Sequence, residues 1–151
     1  MHNLSPQEVY ENLVAQGEYE EVAFEQEVVG STFSMLVKDY AYVKTLKSEK
    51  NPRWRVIFNA YYDVLRELCD ILLTFKKQKS GNHRGVFALV VIHFPSLELD
   101  WELLERMRNL RNASKYQGSD ISTAMWKSVE MALELYISAL QKEVEKRLNE
   151  K

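Results

Sequence analysis

The chain reads as an all-α protein, an up-and-down bundle of five to six helices. Three observations carry that expectation. From Trp54 onward, Trp54, Phe58, Tyr61, Leu65, Leu68, Leu72 and Phe75 recur in alternating steps of four and three, the spacing of one helix face. Five Gly and three Pro in 151 residues are too few for a turn-rich β protein. Residues that start helices (Ser5, Asn82 and Asp100) stand just ahead of three of the apolar runs.

The elements follow in chain order. In Ser5-Pro6-Gln7-Glu8, Ser5 caps, Pro6 fits the first helical position and Glu8 completes a capping box; Gly17 is the stop. Residues 18–30 are acidic and β-branched without a period, so they read as loop or frayed helix closed by Gly30. Phe33, Leu36, Tyr40 and Val43 predict a helix from Thr32 to about Ser48, and Asn51-Pro52 separates it from the next. The long stripe from Trp54 is widened by Ile57, Val64 and Ile71, which makes this helix central and packed on at least two neighbours. Its aromatics read as core rather than as cofactor contacts.

"KKQKSGNH", residues 76–83, is a basic turn with Asn82 as the cap. "RGVFALVVIHF", ended by Pro95, fits a short buried helix better than a buried strand, given the cap before it and helices on both sides. Asp100 caps the following helix. Ser119 or Asp120 starts the last one, whose core face is Trp126, Val129, Leu133, Tyr136, Leu140 and Val144, and whose charged end "KEVEKRLNEK" frays.

Length suits one folded bundle, residues 30–151, preceded by an acidic arm with a short helix, residues 1–29. Glu8, Glu11, Glu18, Glu20, Glu21, Glu25 and Glu27 precede the first base, Lys38, while the whole chain carries a formal net charge of −2. The arm is thus strongly acidic and the remainder basic. Such an arm reads as a solvated segment or as one that folds over a basic surface and competes with an anion. No apolar run approaches the roughly 18 residues of a membrane helix, and no signal peptide is visible. The lone Cys69 lies in an apolar helical run, as a buried small hydrophobe. A cytoplasmic location away from membranes is expected.

His2, His83, His93 and Cys69 are scattered, with no metal-ligand pair at helical spacing, and no phosphate-cradling glycine loop is present. No metal or cofactor is expected. The candidate site is "RMRNLRNASKYQG", residues 106–118. At about 100° per residue, Leu103, Met107 and Leu110 face the core. Arg108, Arg111, Asn112 and Lys115 fall on a strip beside them. Arg111 borders the core, and a half-buried guanidinium needs a fixed anionic partner. That partner is an internal carboxylate (Asp63, Glu67 or Asp70) or an external phosphate.

Residues 58–89 followed by 104–118, with a Tyr-bearing central helix, a basic turn, a Ser/His-containing start to a short helix, then Arg-Asn and Tyr-x-Gly, resemble the HEPN superfamily, the higher eukaryotes and prokaryotes nucleotide-binding domains. The likeness covers roughly residues 30–145 and is nearest to small prokaryotic members with the pattern R-x-x-R-N-x-x-x-Y-x-G. The resemblance implies a helical bundle that pairs as a homodimer. Members include metal-independent ribonucleases of toxin–antitoxin type, nucleotide binders and partners of nucleotidyltransferases. Catalytic members carry Arg, a polar residue, then His within the next two turns. Here Arg111 and Asn112 hold the first two places and Tyr116 stands where His would fall.

Metal-free RNA cleavage needs a group that exchanges a proton near neutral pH, which imidazole does and an ordinary Tyr, near 10, does poorly. The resemblance therefore points to a non-catalytic module in which Arg108, Arg111, Asn112, Lys115 and Tyr116 bind nucleotide, RNA phosphate or a partner protein. Two alternatives are a ribonuclease using Arg111 and Tyr116, and a scaffold in which Arg111 is bonded internally.

Overall fold

The structure, a computed structural model, describes residues 3–150 as an all-α helical bundle with one small ribbon. Its elements are α1 (Pro6–Ala15), β1 (Tyr19–Glu21), α2 (Gln26–Thr45), α3 (Trp54–Phe75), β2 (Gln78–Ser80), α4 (His83–His93), α5 (Trp101–Tyr116) and α6 (Thr123–Asn149). Single 3₁₀ turns follow α2 and α4.

The central helix is α3, which packs against α2, α4, α5 and α6. Its stripe from Ile57 to Leu73 is buried almost without a break. Aromatic rings link it to its neighbours. Trp54 stacks on Trp126 at 5.4 Å, Tyr61 meets Trp126 edge-on at 5.0 Å, and Tyr40 meets Tyr61 edge-on at 5.5 Å. Offset and edge arrangements of this kind suit the ring quadrupoles and add to the burial energy.

Local signals explain most of the boundaries. Ser5 Oγ accepts the Glu8 amide at 3.2 Å while the Ser5 amide donates to Glu8 Oε1 at 3.1 Å, a complete capping box. Gly17 takes φ of 71°, the left-handed turn that ends α1. Asp100 Oδ1 accepts the Leu103 amide at 3.2 Å and so starts α5.

The structure corrects the expectation at several places. α2 begins at Gln26 rather than Thr32, so the expected boundary at 29–30 falls inside a helix, and Gly30 is helical rather than a terminator. Val29 is buried with Phe33, Leu36 and Tyr40, and that burial outweighs the roughly 1 kcal/mol that a mid-helix glycine costs. Residues 19–21 and 78–80, expected as loop and turn, pair antiparallel with Tyr19 opposite Ser80 and Glu21 opposite Gln78. α6 begins after Ser122, whose Oγ accepts the Met125 amide at 3.1 Å; Asp120 bonds the Ile121 amide instead. Ile137, not Tyr136, completes its core face. Its charged end stays helical to Asn149, where Arg147 bonds Glu143 at 2.9 Å and lies over the Phe94 ring. In α5 the buried positions are Leu104, Met107 and Ser114, with Leu103 and Leu110 half-buried.

The acidic segment is integrated with the bundle. α1 lies on α4 through Val9, Leu13 and Ala88, and the Tyr19 hydroxyl donates to the Gly85 carbonyl at 3.1 Å. A Cβ at Gly85 would sit 2.8 Å from Leu13 Cδ1 and 3.1 Å from Ser80 Oγ and from the Tyr19 hydroxyl, so a larger residue here would have to displace those side-chain ends.

Candidate functional site: an arginine-lined recess between α4 and α5

Two local features place the site. The first is the start of α4. Ser80 Oγ accepts the Asn82 amide at 3.1 Å, and Asn82 Oδ1 accepts the Gly85 amide at 3.0 Å. These bonds hold His83 and Arg84 in the first helical turn, where the helix dipole presents partial positive charge. The second is the basic face of α5. The two meet at a recess of about 250 Å³ lined by Asn82, His83, Arg84, Arg108, Arg111, Asn112 and Tyr116.

Arg111 is the most enclosed of the three arginines here, with its side chain 12% exposed. Its Nη1 donates to Asp63 Oδ1 at 2.9 Å, to Asn59 Oδ1 at 3.2 Å and to the Asn59 carbonyl at 3.3 Å. The guanidinium also lies over the Tyr62 ring, 5.1 Å from its centroid. Asp63 is therefore its internal partner. Asp70 pairs with Arg66 instead, and Glu67 makes no ion pair with Arg111 among the described residues. Asn59 is itself fixed, since its Nδ2 donates to the Arg55 carbonyl and to Ser114 Oγ. Nη2 of Arg111 has no protein partner among the described residues and remains able to donate.

Arg84 and Arg108 share one acid. Arg84 Nη2 is 2.8 Å from Glu105 Oε2, and Arg108 Nε is 3.1 Å from Glu105 Oε1. The carboxylate aligns both guanidinium groups and leaves the Nη atoms of Arg108 unengaged among the described residues. Three arginines facing two carboxylates leave the recess with a net positive balance. Tyr116, the last residue of α5, is 77% exposed at the rim, and its hydroxyl has no hydrogen-bond partner among the described residues.

Of the five binding residues expected from sequence, Arg108, Arg111, Asn112 and Tyr116 line this recess, and Lys115, though exposed, does not. Asn82, His83 and Arg84 were missed. The signal for them was the capping Asn82, which puts the next two side chains at a helix start, but their approach to α5 is tertiary. No residue of 3–29 lines the recess, so the acidic segment does not cover it.

His83 changes the chemistry of the site. Its Nδ1 lies 3.2 Å from the Tyr62 hydroxyl, while Nε2 has no protein partner among the described residues. Burial lowers its pKa below the usual histidine value, and Arg66 and Arg111 add to the effect. Burial pushes the Tyr62 phenol up, against the pull of Arg111, so Tyr62 keeps its proton. The imidazole is neutral at pH 7 and stands among arginines.

A larger cavity of about 890 Å³ lies between residues 3–6 and α5, walled by Trp101, Arg106 and Asn109. Asp100, Glu102 and Glu105 also line it, so its charge does not favour an anion. Among the described residues no group of three or more His, Cys, Asp or Glu could hold a metal ion, and no helix is long and apolar enough to cross a membrane. Comparison with family models, with curated proteins and with solved structures finds no match to this chain.

Proposed function

We propose that the chain is a HEPN-like, non-catalytic binding module that holds a phosphate-bearing ligand, a nucleotide or RNA, in the recess between α4 and α5. The observation that carries this reading is the meeting of Arg84, Arg108 and Arg111 from two helices at one open recess of about 250 Å³. At about 250 Å³ it is below the roughly 300–1,000 Å³ of pockets that enclose whole small molecules. A phosphate enters and the remainder of the ligand stays outside, where the exposed Tyr116 ring offers a stacking surface. Guanidinium donors match phosphate oxygens in geometry as well as in charge.

The test is binding of short single-stranded RNA at low salt. Arg108→Ala weakens it roughly tenfold, as expected for a charge-assisted contact. Lys115→Ala, outside the recess, changes it little. Equal losses from the two substitutions, or none, reject the recess as the binding site.

One observation favours a second reading, a metal-independent ribonuclease. The imidazole lacking at Tyr116 is present in the same recess as His83. Its Nε2 would take the proton of the 2′-hydroxyl as that oxygen bonds phosphorus. The bond from phosphorus to the 5′-oxygen would then break, and the same proton would pass to the leaving oxygen. Cleavage of single-stranded RNA in EDTA that is lost in His83→Gln and kept in Tyr116→Phe supports it. Intact RNA after prolonged incubation with the wild-type chain rejects it.

A further inference from the structure

The recess contains one group that a plain phosphate clamp does not need. Its arginines stay charged at any accessible pH, whereas His83 is neutral and enters with a free ring nitrogen. With the ring proton on Nδ1 and donated to the Tyr62 oxygen, Nε2 carries the lone pair and is the atom left for a ligand proton. The charged and titratable groups around His83 are Tyr62, Asp63, Arg66 and Asp70 from α3, Lys79 from β2, and Arg108, Arg111 and Tyr116 from α5, with Arg84 next to it on its own helix. Apart from Asp63 and Asp70, the charges here oppose a proton on the free imidazole. A ligand able to reverse that balance must bring concentrated negative charge.

Resting on the phosphate reading above, we propose that the recess selects a terminal phosphate monoester, as at the end of an RNA strand, and grips it together with one proton shared between a phosphate oxygen and His83 Nε2. Three features favour the terminal group over an internal diester. A monoester turns three free oxygens toward donors, whereas a diester has only two. Donors stand on opposing walls, with Arg108, Arg111 and Asn112 on α5 and His83 and Arg84 on α4. Finally, a monoester's second ionisation lies near about 6, close to that of imidazole, so one proton can be held between them. A diester has no such ionisation.

The consequence is a pH dependence opposite to that of charge alone. Between pH 7 and 8 the free imidazole, with its one proton on Nδ1 toward the Tyr62 oxygen, is neutral and the free phosphate is mostly dianionic, so placing a proton between Nε2 and the phosphate takes one up from solvent. By linkage, affinity for the terminal phosphate falls roughly tenfold over that unit. Simple charge attraction predicts no fall, because the phosphate only gains charge.

The experiment compares a 5′-phosphorylated trinucleotide of RNA with the same trinucleotide ending in a 5′-hydroxyl, by calorimetry at low salt at pH 7 and pH 8. The expected result is about a tenfold loss of affinity with rising pH for the phosphorylated strand and less than about twofold for the other. Calorimetry in buffers of different ionisation enthalpy should show uptake of one proton at pH 7.5 by the wild-type chain. In His83→Gln the pH dependence of the phosphorylated strand disappears. If both strands bind with the same pH dependence, or if His83→Gln keeps the difference, the proposal is overturned while the phosphate reading stands. If neither strand binds, both fall together.

Discussion

Arg111 divides its guanidinium between the fold and the recess. Nη1 is spent on Asp63 and Asn59, and Nη2 is not. Arg111→Ala should therefore cost stability as well as binding, by about 1–2 kcal/mol and a drop of several degrees in melting temperature. The cost stays moderate because Asp63, 43% exposed, can turn to water. Arg108→Ala loses binding with little change in melting temperature, since Glu105 keeps Arg84. Differential scanning calorimetry beside the binding assay separates the two roles. Asp70 supplies a pH prediction. Burial raises its carboxyl to about 6 from an ordinary 3.8, against the pull of Arg66. The folded chain thus holds a proton there more tightly than the unfolded chain. This stabilising contribution is complete below pH 3.8 and is lost as pH rises through about 6. Denaturant titration of Asp70→Asn against wild type should show a difference that changes between those values and is constant from pH 7 to 8. Cys69, fully buried with its thiol pushed up, should not react with a thiol reagent until the chain unfolds.

Among the elements, α4 couples the site to the rest of the fold. Its first turn carries His83 and Arg84, and its third residue, Gly85, lies against Leu13, Tyr19 and Ser80. Gly85→Ala displaces these side-chain ends but gains about 1 kcal/mol of helix propensity, so the denaturation midpoint should move by no more than about 1 kcal/mol, whereas the bulkier Gly85→Val should lower it clearly. The helices were legible where periodicity and caps agree, as in α3 from Trp54 and at Ser5, Asn82 and Asp100. The ribbon was not, because three-residue strands carry no period and their pairing joins Tyr19 to Ser80 across most of the bundle's first half. The start of α2 was hidden by Gly30, whose intrinsic cost is overridden by the burial of Val29. On α5 the polar strip was legible from its angle to Met107. The opposite wall, supplied by α4, depends on how two helices dock, which no local spacing encodes.

At the scale of the whole molecule, the acidic N-terminal segment is a structural layer over α4 and not a cover for the recess. Removing residues 1–24 exposes Ala88 and the packing face of Gly85, so the truncated chain should melt clearly lower, checked by circular dichroism. Sedimentation equilibrium tests the homodimer that the HEPN resemblance implies, with an expected mass twice the 17.7 kDa of the chain. Anion binding is expected at one place, the recess between α4 and α5. The most direct measurement is an amide and histidine-ring NMR titration with a 5′-phosphorylated trinucleotide at low salt. The predicted result is saturable shifts confined to residues 82–84, the His83 ring and the 108–116 face of α5. Shifts scattered over lysines elsewhere with those signals unmoved would contradict it.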